Sequence, residues 1–229
     1  NGWDDPRMPT LCGLRRRGYP AASLRLFSDR IGISKQNSLI DFSILENCVR
    51  EILDETAERR MAVIKPIKLV ITNLEDNHLE MLPMSNHPKR EEFGKREVPF
   101  SNELWIDADD FMAVPTPGYH RLTQDAEVRL RGVGIIKCNE IIMDGDAVKE
   151  LRCTLDLESR SGMEGSKRKV KGTIHWVCGK HALPAEFRLF DRLFTVENPD
   201  NDDNGGGYKD YLNSQSLEVC QGFIEPSAA

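Results

Sequence analysis

Glu127-Val128-Arg129-Leu130-Arg131, inside the longer stretch Tyr119 to Lys137, alternates charged and apolar side chains. Only an extended strand sends successive side chains to opposite faces, so Val128 and Leu130 are predicted to enter a core while Arg129 and Arg131 project together from the other side. A guanidinium is planar, permanently charged and donates in pairs, which suits phosphate oxygens and acceptor-bearing base edges better than an ammonium does. Spacing alone favours the plainer reading, the solvated outer face of a β-hairpin. The neighbouring Tyr119-His120-Arg121 adds further polar and cationic groups to the same stretch.

Working outward, Lys68 to Ile71, Arg96 to Phe100, Glu103 to Ile106, Val128 to Ile136, Glu150 to Leu157, Lys169 to Val177, Phe187 to Phe190 and Leu217 to Gln221 are short, rich in β-branched or aromatic residues, and separated by turn residues. That pattern predicts small β-barrels rather than a parallel α/β sheet. Before Met61 the periodicity is helical. Thr10 can cap a short helix through Leu14 to Arg17 that Gly18 ends, and Pro20 suits the first turn of a second helix carrying Leu24, Phe27 and Ile31 up to Gly32. After the connector Ser34-Lys35-Gln36-Asn37, Ser43 and Glu46 stand at capping-box spacing, and Leu45, Cys48, Val49, Ile52 and Leu53 form an apolar stripe. The fold class expected is α+β, mainly β, with a small N-terminal helical unit followed by two antiparallel β-barrels. Asn198 to Gly207 reads as a polar, glycine-rich loop expected to be mobile.

Length and composition narrow the function. The chain has 229 residues, 39% hydrophobic residues and a formal charge of -6, which argues against a generally basic nucleic-acid binder. A reader of structured RNA needs only a local basic surface, and residues 1–36 hold seven Arg or Lys against three Asp. No apolar run approaches the ~18 residues of a membrane span, and no signal peptide opens the chain. Six widely spaced cysteines without metal-type pairs read as reduced, mostly buried thiols of a cytosolic protein.

Other motifs take structural readings. Gly165-Ser166-Lys167-Arg168-Lys169 leads straight into a strand with no nucleotide-binding domain before it, so it reads as a solvated hairpin turn rather than an ATP loop. Asp4 and Asp5 diverge as neighbours and belong to a turn-rich entry. His175 and His181 lack companions at ligand spacing, and no metal site is expected. Trp105 and Trp176 alternate with apolar residues and are expected in a barrel core. Arg15, Arg16 and Arg17 fit either a solvated helix face or RNA contact.

Gly2-Trp3-Asp4-Asp5-Pro6-Arg7-Met8-Pro9-Thr10, followed by Gly13-Leu14-Arg15-Arg16-Arg17-Gly18-Tyr19, resembles the segment just after the catalytic domain of glutaminyl-tRNA synthetases and their glutamyl relatives. Pro66 to Ile71, Val98-Pro99-Phe100, Leu104 to Asp107, Val128 to Arg131, Lys169 to Val177 and Arg188 to Phe194 continue the likeness along essentially the whole chain, and the Arg-Leu-Arg and Lys-Gly-Thr-Ile-His-Trp runs favour the glutaminyl branch. The resemblance implies a stem-contact helical region over 1–58, a proximal barrel from 59–113 and 190–229 that is incomplete, and a distal anticodon-binding barrel over 114–189. It implies a cytoplasmic monomer whose partner is tRNA(Gln), with glutamine, ATP and Mg handled by a catalytic domain before Asn1. No catalytic residue and no cofactor are then expected within these residues, and closing strands with further uridine-reading side chains would follow Ala229.

By position, Arg59 matches the family arginine on the central anticodon uridine, Arg121 the one on the third base, and Arg129 and Arg131 the positions near the first. His120 stands where the family often has lysine, and Lys89 replaces a polar amide. Lys35 and Gln36 match a loop touching the inner corner of the tRNA. The alternatives are the C-terminal part of a glutamyl synthetase and a stand-alone RNA-binding module.

Overall fold

A computed structural model describes residues 2–36, 38–199 and 207–229, so Asn37 and residues 200–206 of the expected polar loop lie outside the described residues. The chain divides into two units, one of residues 1–57 and 188–219, the other of residues 58–187 and 220–229. The first carries three helices, α1 (Leu11–Arg16), α2 (Ala21–Ile31) and α3 (Phe42–Thr56). The Thr10 hydroxyl accepts the Gly13 N–H at 3.0 Å to start α1, and Gly32, at φ 69°, closes α2 in a conformation that L side chains rarely adopt. Leu45 and Cys48 of the stripe on α3 are buried.

Arginines do much of the fastening in this unit. Arg7 grips Asp5 through Nε and Nη2 (2.9 and 2.7 Å) and donates to the Ser216 hydroxyl at 3.0 Å. That hydrogen-bonded guanidinium holds the Asp5 carboxyl down at about 2. Arg16 pairs with Asp4, so the two aspartates of the entry face separate arginines. Arg17 donates to the Phe190 carbonyl at 3.3 Å, and Arg192 lies 4.7 Å over the Phe42 ring. These guanidiniums act as packing and pairing groups.

The second unit is built on β1 (Ala62–Val63), β2 (Pro66–Ile71), β3 (Leu79–Ser85), β4 (Lys95–Ser101), β5 (Glu103–Asp107), β6 (Glu127–Leu130), β7 (Gly134–Asp144), β8 (Ala147–Asp156), β9 (Thr173–Ile174) and β10 (Val177–Cys178). It also takes β11 (Leu183–Phe190) as far as Phe187 and β12 (Leu217–Ile224) from Cys220 onward. Seven strands form one sheet in the order β10-β5-β2-β8-β7-β6-β9, β3 pairs with β4, and β1, β12 and β11 form a third sheet. A continuous core runs beneath them, with Trp176, Phe100, Leu69, Ile71, Leu104 and Leu130 essentially inaccessible. Trp176 is a core residue as expected, edge-on to Phe100, while the half-buried Trp105 stacks on Phe223 at 4.9 Å. The mainly β expectation therefore holds.

Several local expectations change. Val128 to Ile136 is not one strand: the chain turns over Arg131-Gly132-Val133, with Gly132 at φ 74°, and returns as β7. Of Lys169 to Val177 only Thr173–Ile174 and Val177 are in strands. β3 escaped the sequence reading because Pro83 and its exposed neighbours obscure the alternation; a proline is tolerated there because β3–β4 is a two-stranded ribbon. Two pairings, β2 with β8 and β6 with β9, are parallel where antiparallel ones were expected. The cap of α3 is Asp41, which accepts the Ser43 N–H at 2.7 Å, so Ser43 lies inside the helix instead of starting it. Glu46, the other half of the expected capping box, faces Arg192 at 3.5 Å.

Candidate nucleic-acid interface

The alternation in β6 has the predicted consequence for Val128 and Leu130, which are buried, and for Arg129, which is half-buried; Arg131, expected in the strand, is exposed at the first position of the turn that follows it. Both arginines are held by main-chain bonds to the same short segment. Arg129 N–H donates to the Gly172 carbonyl and Arg131 N–H to the Ile174 carbonyl, each at 3.0 Å, in the parallel β6–β9 pairing. Gly172 is also where the upstream loop arrives, since a Cβ there would run into the His120 carbonyl and meet Arg121 Cα at 3.5 Å. Gly172 thus lets His120, Arg121, Arg129 and Arg131 share one neighbourhood.

The cations differ in what already occupies them. Arg129 donates through Nη2 to the Arg168 carbonyl (2.7 Å) and through Nη1 to the Ser159 carbonyl (3.2 Å), fastening the loop after β8. The Arg131 side chain makes no hydrogen bond or ion pair among the described residues, so its fork is open. Its carbonyl accepts the Trp176 indole N–H at 3.0 Å, which ties the strand end to the core. Arg121 places Nη1 on Oδ1 of buried Asp110 and is otherwise exposed. Burial raises the Asp110 pKa, partly opposed by Arg121 and His175. Tyr119, whose hydroxyl donates to the Asp109 carbonyl at 3.2 Å, is pushed up to about 12 by burial and by the charge of Asp110.

A second group gathers at the tip of the β3–β4 ribbon. Arg59 N–H donates to the Asn86 carbonyl at 2.6 Å, and Lys89 N–H donates to Nδ1 of buried His87 at 3.1 Å. Asn86 is buried and fully engaged: its Nδ2 donates to the Phe93 carbonyl (2.9 Å) while its Oδ1 accepts Arg60 Nη1 (3.1 Å) and Arg96 Nη1 (3.4 Å). Beneath it Arg96 makes a two-point contact with Glu225 at 2.6 and 3.1 Å. The two groups adjoin through Met84, whose methyl occupies the space beside Gly132 in the turn that follows Arg131. Lys35 and Gln36 belong to the helical unit, where both are exposed and the Gln36 N–H donates to the Ser34 hydroxyl at 3.1 Å.

Sequence reading did not single out Asp110, Asn86, Gly172 or Glu225. Asp107 to Asp110 looks like a solvated acidic turn, and Asn86-His87-Pro88 like an ordinary loop. Gly172 alone carried a signal, as the glycine between Lys171 and Thr173 in a quoted motif. No group of three or more metal-ligating side chains is present among the described residues, and none of their helices is long and apolar enough to cross a membrane.

The fold and this surface define a class: a β-sheet module that displays arginines, some braced by buried polar partners, at the ends of strands and ribbons. The comparisons name the family within it. Residues 57–156 and 173–229 match two models, each described as the class I tRNA synthetase (E and Q) anti-codon binding domain, and the chain belongs to that family. Over its whole length it is 61% identical to a glutamine–tRNA ligase of Xanthomonas euvesicatoria pv. vesicatoria (strain 85-10) and 58% identical to one of Xylella fastidiosa (strain M12). The chain spans about 40% of the length of these curated relatives.

Proposed function

We propose that this chain is the tRNA-selecting part of a glutamine–tRNA ligase that joins glutamine to tRNA(Gln) with ATP, the ATP and Mg being bound outside these residues. The reading is of a cytoplasmic, monomeric enzyme in which this part chooses and positions the tRNA. The observation that carries it is that the backbones of His120, Arg121 and Arg129 meet at Gly172 and that of Arg131 at Ile174 two residues on, within a family described as anticodon-binding. An anticodon loop offers unpaired bases that can be splayed and hydrogen-bonded on their edges, and arginine forks are the groups to meet them.

In this reading Arg131 and Arg129 address the first anticodon base, Arg59 and Lys89 the middle of the loop, and Arg121 with His120 the third base. Arg129 contributes donors left over from its two carbonyl bonds. Lys35 and Gln36 contact the inner corner of the tRNA, where binding is to the backbone and salt-dependent.

Equilibrium binding of the chain to a glutamine anticodon stem-loop and to single-base variants, at two salt concentrations, tests the assignment. Arg131→Ala is expected to lower discrimination at the first base by about 1–3 kcal/mol with no change in thermal stability. Arg129→Ala, which frees two carbonyls from a charged donor, is expected to cost about 1–2 kcal/mol of stability as well. Equal losses on every stem-loop would mean that these arginines sense only backbone charge.

A further inference from the structure

Asp110 has a chemistry that core packing does not account for. It is 5% exposed at the side chain, whereas the Arg121 that it holds is 49% exposed. Oδ1 takes Arg121 Nη1, and Oδ2 is buried with no hydrogen-bond partner among the described residues, His175 Nδ1 lying 3.7 Å from it. His175 is itself fixed, with Nε2 bonded to the Ala62 carbonyl at 2.7 Å, so that Nε2 is the protonated nitrogen. A buried carboxylate with an unsatisfied oxygen works against folding, because both its charge and its lone pairs have left water.

The backbone around Asp110 is well secured without that carboxylate. The Leu122 N–H donates to the Asp110 carbonyl at 3.0 Å and the Met112 N–H to the Leu122 carbonyl at 3.1 Å, so the two segments are already bridged. The carboxylate therefore acts on something other than the local fold, and the group it touches is Arg121. Among the described residues Arg121 makes no other side-chain hydrogen bond, so its remaining nitrogens face outward as a fork.

We infer that Asp110 is a positioning residue for base recognition: it grips Arg121 by one terminal nitrogen from below and aims the rest of the guanidinium at a single nucleobase edge. His175 stands beside Oδ2 at 3.7 Å without hydrogen-bonding it, so the grip on Arg121 comes from Oδ1 alone. The inference rests on the assignment of Arg121 to the third anticodon base and extends it to a residue that touches no RNA.

Asp110→Asn keeps the shape and removes the charge. The chain carrying it would be titrated with three stem-loops: the glutamine anticodon, one changed at the third base and one changed at the first. The expected result is a loss of about tenfold in third-base discrimination, with first-base discrimination unchanged and the melting temperature not lowered. In an Arg121→Ala background the same substitution should add nothing, as required of residues acting as one unit. Asp110→Glu, which moves the charge outward by a methylene, should lose third-base discrimination too and serves if the asparagine variant does not fold. Should Arg121→Ala abolish third-base discrimination while both Asp110 variants retain it, the positioning role is overturned and the reading of Arg121 stands. Uniform loss at both bases makes Asp110 merely structural and overturns the role as well. If Arg121→Ala itself leaves third-base discrimination intact, the assignment of Arg121 falls and the role of Asp110 with it.

Discussion

Two buried carboxylates face arginines in the same unit, and they are partnered in opposite ways. Glu225, 1% exposed, takes Nε and Nη2 of Arg96, which is 9% exposed, and also accepts the Ser227 hydroxyl at 2.8 Å. Both partners are inside and both carboxylate oxygens are used. Asp110 takes one nitrogen of the half-exposed Arg121 and leaves an oxygen unmet. The contrast separates support from presentation. At the ribbon tip the ion pair is a foundation beneath Asn86, and Arg59 and Lys89 are fastened there through main-chain bonds to Asn86 and His87. At the sheet wall the ion pair includes the presented cation itself, so the accuracy of one guanidinium depends on a group that is poorly satisfied.

The comparison is broken most severely at Gly172. Any side chain there meets the His120 carbonyl, so Gly172→Ala is expected to displace β9 or the loop above it at a cost of about 4 kcal/mol or more. Hydrogen exchange should show protection lost at the Arg129 and Arg131 amides while the Arg59 amide on Asn86 stays protected. Loss at all three would mean that ribbon tip and wall unfold as one unit.

Asn86→Ala attacks the other side. It strands the Phe93 carbonyl and removes the acceptor shared by Arg60 and Arg96, with an expected cost of about 2 kcal/mol in denaturant unfolding. Binding should lose the contribution of Arg59 and Lys89 and keep third-base discrimination. A change confined to the third base would reverse the two assignments.

The smallest effect is also the one with a sign to check. The folded-state pKa of Asp110 is raised by burial, so folding is favoured with Asp110 protonated, and stability falls as pH rises from the ordinary carboxylate value through the raised one. Above that window Asp110→Asn removes the burden, and its melting temperature at neutral pH should equal or exceed that of the parent. Below the window the two proteins should converge. A variant less stable than the parent at neutral pH would make Asp110 a foundation like Glu225, and the contrast would disappear.

The helices of the first unit, the alternation in β6 and the cap at Thr10 were legible because each is a local matter of period and turn chemistry. Capping of α3 was misplaced by two residues, since Asp41 and Ser43 both precede an apolar run and only backbone geometry chooses between them. The ordered matches to a known family pointed to Arg59, Arg121, Arg129 and Arg131 as readers. Their local chemistry gave no hint that Arg129 would be half spent on the Arg168 and Ser159 carbonyls while Arg131 stayed open.

By itself, then, the sequence determined which faces are apolar, where the chain changes from helical to extended, and that planar cations stand at spaced positions along strands. Tertiary structure decided which of those cations are presented and which are consumed. It did so by pairing β6 in parallel with a strand some forty residues later and by bringing Asp110 under Arg121 and Glu225 against Arg96, over 129 residues of separation in the last case. Alternation is fixed by the pleat of each strand alone, but the partner of a charge depends on which distant strand arrives beside it, and no local pattern encodes that.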